Sequence, residues 1–183
     1  MIAFLMADGF EDVEALCPYD LLKRAGFDVR FIAAGECTVR GKSCGSLVSC
    51  TATANELLAS GESIEMLVLP GGMPGAANLD CAPVTDRIIE RTEKGGGFLA
   101  AICAAPMVYG KRGLLRGKHA TVFPGFEKYL DGALLSGDAV VREGRFITAA
   151  GMGAAFPFGV ELIRALAGDA KADEVRASVC APR

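Results

Sequence analysis

Short apolar segments alternate with segments of helical period almost from end to end of this 183-residue chain, and that alternation limits the architectures open to it. Ile2 to Met6 is an apolar run that breaks at Asp8-Gly9. Val13, Leu16, Leu21 and Leu22 then recur at helical spacing up to Gly26, a residue suited to a helix C-cap. Asp28 to Ala34 alternates as a second strand. Met66 to Leu69 and Gly97 to Ile102 read as strands buried on both faces, with an amphipathic helix from Val84 to Lys94 between them. Strands are expected at Ala120 to Phe123 and, around the Glu143-Gly144 turn, at Val140 to Arg142 and Phe146 to Thr148. Gly35 to Thr53 reads as short strands or a hairpin before a helix near Ala54 to Leu58. A short helix is expected to start at Met107 to Tyr109, and a last long helix to run from about Ala155 to Leu166. Strands joined through helices imply right-handed crossovers, so the expected fold is a three-layer α/β/α sandwich. It forms one domain over residues 1–183, with its functional crevice at the carboxyl ends of the strands.

Composition narrows the functions. A net charge of −3, with no basic cluster, gives no electrostatic footprint for nucleic acid. The apolar stretches fall short of a bilayer span, and the N-terminus lacks the leading positive charges of a signal peptide, so neither a membrane partner nor secretion is expected. Seven cysteines form an odd set without a C-x-x-C pair, and one His is present, so metal binding is not expected and reduced thiols in a cytoplasm are.

Three segments should meet at the strand ends: Gly9 to Glu14, Pro70 to Gly75, and Cys103-Ala104-Ala105. Cys103 sits between a strand and a helix among small residues, as a nucleophile does in an elbow turn. The following helix N-terminus is expected to favour its thiolate. Most free cysteines are small buried hydrophobes, and the other six lack an elbow. Among those six, Cys17 is the partial exception, lying three residues after Glu14 and on the same side if the turn is helical. Glu11 and Asp12 read as a solvated helix start. Pro18 removes the hydrogen bond to the Glu14 carbonyl, which lets Glu14 face the crevice, where burial beside sulfur would raise its pKa and fit it for proton transfer. The N–H groups of Gly71, Gly72 and Ala104 would surround an adduct at sulfur.

These residues resemble the ThiJ/PfpI superfamily, in the branch of the parkinsonism-associated deglycase and its bacterial YajL-type relatives. The resemblance runs through ADGFEDVEALCPYDLLKRAGFDV, VLPGGMPGAANL, FLAAICAAP and ITAAGMGAAFPFGVELIRAL, and so over nearly the whole chain. It implies a flavodoxin-like fold, Cys103 as oxidisable nucleophile, Glu14 as the carboxyl bonded to it, and Gly71, Gly72 and Ala104 as backbone donors. It also implies a homodimer with the first helix and Arg24 near the interface. The deglycase carries a His before a Pro beside its nucleophile, where this chain has Phe123 before Pro124, as YajL-type members do. His119 lies four residues earlier, roughly 13 Å back along an extended strand, too far to substitute. Ala104 after the cysteine replaces the His of the peptidase-like branch, which argues against a Cys-His hydrolase.

The expected function is a cofactor-independent glyoxalase or deglycase that uses Cys103 and Glu14. Its partners would be methylglyoxal-type 2-oxoaldehydes or glycated protein side chains. The alternative is a redox sensor or chaperone whose Cys103 is oxidised to sulfenic or sulfinic acid. A third possibility is a small-molecule binding domain without turnover.

Overall fold

The computed structural model describes residues 1–181. The chain opens with β1 (Ile2–Met6), α1 (Asp12–Arg24) and β2 (Val29–Ala33). A hairpin of β3 (Thr38–Arg40) and β4 (Leu47–Ser49) follows, then the short β5 (Ala52–Thr53) leading into α2 (Ala54–Ser60). Next come β6 (Met66–Leu69), α3 (Gly75–Cys81), α4 (Pro83–Lys94), β7 (Phe98–Ile102) and α5 (Pro106–Lys111). The last elements are β8 (His119–Ala120), β9 (Leu134–Leu135), β10 (Val140–Glu143), β11 (Phe146–Ala149) and α6 (Ala155–Ser178).

Seven strands form the central sheet in the order β10-β11-β7-β6-β1-β2-β5, parallel except for the β10–β11 hairpin. Even-numbered residues of the central strands, such as Phe4, Met6, Val68, Ala100 and Ile102, pack with α1 and α6. Their odd-numbered neighbours Leu5, Leu67, Leu69, Leu99 and Ala101 pack with α2 to α5. Helices on both faces therefore account for strand segments that are apolar at every position. This is the expected flavodoxin-like α/β arrangement. The chain winds outward from β1 to β2 and β5, then returns to place β6 on the other side of β1. A ligand crevice belongs at such a reversal, outside the carboxyl ends of the strands.

Local signals explain most element ends. Gly26 follows the last turn of α1 at φ 88°, the left-handed geometry anticipated for a C-cap glycine. Thr53 and Glu56 form a reciprocal capping box at the start of α2. Three expectations are corrected. The strand expected over 120–123 shrinks to His119–Ala120, which pairs with β9 outside the central sheet, so Phe123 lies in a loop. The closing helix runs on to Ser178 across a break at Gly168 (φ 82°), beyond the apolar pattern that ended near Leu166. The third concerns Asp12, which is 3% exposed instead of solvated. Its carboxylate accepts from the N–H groups of Ser43 and Cys44, both at 3.0 Å, and from the Ser46 hydroxyl. Asp12 thereby ties the tip of the β3–β4 hairpin to the start of α1. Burial alone would push its carboxyl up, but the Ser46 hydroxyl and the N–H groups of Cys44, Ser43 and Ser46 outweigh burial and hold it below the ordinary value.

Candidate active site

Glu11 is the N-cap of α1, and its carboxylate accepts the Glu14 N–H at 2.8 Å. That cap fixes the first turn and turns Glu14 inward, where it is 1% exposed. Cys103 stands at the end of β7 with φ 63°, a left-handed conformation that costs a non-glycine residue about 1–3 kcal/mol. Two backbone bonds hold it there: Cys103 N–H donates to the Ala149 carbonyl at 2.8 Å, and its carbonyl accepts from Phe123 N–H at 2.9 Å. The strained strand-to-helix turn is the elbow that the small flanking residues predicted.

Gly71 shows how close the two side chains come. A Cβ there would lie 2.5 Å from the Cys103 Cβ and within contact distance of Glu14 Oε2, so the bare glycine marks the point where thiol and carboxyl meet. Gly72 has φ 88°, and a Cβ on it would press on the backbone of Gly9, Phe10 and Glu11. The β6 turn and the β1 turn thus touch backbone to backbone, joined by Glu11 N–H to the Gly71 carbonyl at 2.9 Å. Only glycine permits that approach.

The electrostatics are those of a coupled acid and thiol. Burial pushes the Glu14 carboxyl from 4.5 up to about 7. The Cys103 thiol, the Gly71 N–H and Lys42 pull it down, and the Glu11 charge pushes it up. The thiol and the N–H act on the carboxyl from beside it, while no group among the described residues meets full hydrogen-bond geometry at the buried Oε2. Such an atom in a folded protein calls for a functional explanation. Burial also pushes the Cys103 thiol up to about 12, reinforced by the charge and hydrogen bonding of Glu14, against the N–H groups of Gly72 and Ala104. The depressed thiol pKa expected from the helix N-terminus is therefore corrected. Helix α5 begins only at Pro106, and burial beside a carboxylate outweighs the nearby donors.

The structure brings Cys103, Glu14, Gly71, Gly72 and Ala104 together. Gly72 and Ala104 donors face the sulfur, and the Gly71 N–H faces Glu14. Phe123 adjoins Cys103 through its backbone N–H, and its ring is 45% exposed and edge-on to Phe126 with centroids 6.4 Å apart. Cys17 lies elsewhere, lining a shallow apolar depression with Val13, Leu16 and Cys44, and burial raises its thiol pKa. His119 is exposed and contacts Glu143 at 3.1 Å, away from Cys103. A fourth segment, missed in the sequence, also reaches the site: Ala149 holds the Cys103 N–H, and Gly151 backs the Phe123 ring. It reaches the site because β11 is the strand beside β7, a pairing that the sequence does not state. No group of three or more His, Cys, Asp or Glu residues that could hold a metal occurs among the described residues.

A parallel sheet with a strained cysteine elbow and a buried carboxyl facing it defines an α/β protein centred on one thiol. A model described as the DJ-1/PfpI family matches residues 1–165, and the chain belongs to that family. Protein dj-1beta of Drosophila melanogaster is 32% identical over 179 residues, which cover 93% of this chain and 91% of the relative. The crystal structure of Drosophila melanogaster DJ-1beta superposes with a TM-score of 0.92 at 29% identity, covering 100% of this chain and 98% of that one. The relative named Deglycase PH1704, from Pyrococcus horikoshii, is 34% identical over 127 residues, 69% of this chain and 74% of the relative.

Proposed function

We propose that the protein is a cofactor-independent enzyme of the glyoxalase or deglycase type, acting on 2-oxoaldehydes such as methylglyoxal or on their early adducts with protein side chains. The observation that carries this reading is the buried Glu14 carboxyl set against a strained Cys103 across the bare Gly71. A relative named glutathione-independent glyoxalase DJR-1.2, from Caenorhabditis elegans, and the deglycase above support the general class.

Because the thiol is pushed up to about 12, ionised Glu14 takes its proton as sulfur attacks the aldehyde carbon. The carbonyl oxygen becomes an oxyanion facing the N–H groups of Gly72 and Ala104, and protonation gives a hemithioacetal. Glu14 then moves the proton from the aldehyde carbon to the neighbouring carbonyl carbon while the hydroxyl proton passes to the neighbouring oxygen, leaving a thioester of the 2-hydroxy acid. Water cleaves the carbon–sulfur bond, which releases the acid and restores the thiol. A carboxyl titrating near 7 can both accept and return a proton at neutral pH. Phe123 in place of the family His leaves Glu14 or water as the proton carrier.

The test is lactate formation from methylglyoxal by the reduced protein, with metal chelated and glutathione absent. Turnover should survive chelation, rise with pH through about 7 as Glu14 ionises, and vanish in Cys103→Ser and Glu14→Gln. A pH-independent rate, or one retained in either variant, would overturn the assignment.

The second reading is a redox-responsive protein or chaperone. Its support is that protonated Glu14 and the Gly72 and Ala104 donors could hold the oxygens of an oxidised Cys103. Absence of turnover together with a gain of two oxygens at Cys103 under stoichiometric peroxide would select it. The homodimer and the cytoplasmic setting remain part of our proposal. Val13 and Leu16 of α1 are 41% and 40% exposed beside the Cys17 depression, which offers an apolar face for a second copy.

A further inference from the structure

The β3–β4 hairpin pairs Thr38 with Ser49, Val39 with Val48 and Arg40 with Leu47. One step outward in the same register Cys37 stands opposite Cys50, and the Cys50 N–H donates to the Cys37 carbonyl at 2.7 Å. Residues opposed in this way in an antiparallel ladder project from the same face, with Cα atoms about 5.5 Å apart when hydrogen-bonded. That Cα separation lies inside the range a disulfide spans, and the Cβ atoms of such a pair, about 5 Å apart, need to close by only about 1 Å at this open end of the hairpin, where neither residue belongs to a strand. Val39 and Val48, two residues further in on the same face, are 3% and 9% exposed. The two cysteines therefore share the inner face of the hairpin at its open end. Cys37 is exposed and Cys50 half-buried, so an oxidant reaches one thiol while the other waits behind it. Burial, with the Cys37 charge adding to it, pushes the Cys50 thiol up to about 11, which is consistent with the two sulfurs being neighbours. Neither residue takes part in the chemistry at Cys103.

We propose that Cys37 and Cys50 are a second, peroxide-responsive thiol pair that closes to a cross-strand disulfide. The Cys37 sulfur, as thiolate, attacks one oxygen of the peroxide. The O–O bond breaks, hydroxide leaves as water, and Cys37 becomes a sulfenic acid. Cys50 sulfur then attacks that sulfur, the S–O bond breaks, and the departing hydroxyl takes the Cys50 proton as a second water. Two thiols are oxidised by two electrons and one hydrogen peroxide is reduced to two waters. The bond staples the open end of the hairpin whose tip holds Asp12 at the start of α1. Oxidation thereby stiffens the loop that anchors the Glu14 helix.

The experiment treats the full chain with stoichiometric hydrogen peroxide at pH 8, alkylates the remaining thiols and maps peptides without reduction, for wild type, Cys37→Ser and Cys50→Ser. The expected result is a Cys37–Cys50 cross-link with loss of two hydrogens in wild type, absent in both variants. In Cys50→Ser, a sulfenic acid at Cys37 should be trapped by dimedone. The oxidised wild type should melt several degrees above the reduced form, since the staple restricts the unfolded chain. Methylglyoxal turnover by the reduced variants should match that of wild type, which separates this pair from the Cys103 reading. Both thiols remaining alkylatable after Cys103 is oxidised, or a cross-link that joins Cys17 to Cys44 instead, would overturn the proposal.

Discussion

At Gly71 one methyl group decides whether thiol and carboxyl can meet. Gly71→Ala would place a Cβ 2.5 Å from the Cys103 Cβ and against Glu14 Oε2, so the two must separate. Displacements of about 1 Å in a reacting pair cost about 10²-fold in rate. Methylglyoxal kcat/KM should fall by at least that factor, while far-UV circular dichroism stays native; an unaffected rate would mean that the pair does not act together. The sequence made Cys103 and Glu14 legible through local signals, an elbow of small residues and a proline four positions after the acid. It could not show that the thiol is pushed up instead of down. That sign depends on how many donors outweigh burial, a sum over residues far apart in the chain.

At the scale of elements, the hairpin tip and the start of α1 are joined through Asp12. Asp12→Asn removes the charged acceptor that Ser43, Cys44 and Ser46 share, and should cost about 1–3 kcal/mol. Amide exchange at Ser43 and Cys44 should speed up well before global unfolding. Unchanged protection there would show that the loop is held by something else. The long periodic elements were the legible ones: β1, α1, β6, α4 and β7 fall where apolar spacing put them. The hairpin and β8 were harder, because strands of two or three residues offer too few positions for a period to emerge. Helix α3 went unread because Gly75–Cys81 is a single short segment, placed by the turn before it.

Across the whole molecule, two buried carboxyls give stability opposite pH dependences. Asp12 is held below its ordinary value, so its contribution is present above the unfolded pKa and is lost as acid takes the pH down through the folded one. Glu14 is the reverse. Its folded pKa of about 7 stands above 4.5, so the folded state holds the proton more tightly, and stability is lost as pH rises through that window. At 1.36 kcal/mol per unit the loss approaches about 3 kcal/mol above pH 8. Glu14→Gln should therefore melt above wild type at pH 8, with the advantage shrinking below pH 5. An equal difference at both pH values would show that Glu14 is not buried as a strained acid.

Sequence by itself determined the layered class, the reading of the elbow and the family resemblance, because each rests on patterns within one element or one turn. Tertiary structure decided that Glu14 is a buried acid against Cys103, that Asp12 is an anchor, and that Cys37 faces Cys50. Those facts arise only where the parallel strands end together and where the hairpin folds back, so residues distant in the chain come to share the same low-dielectric space.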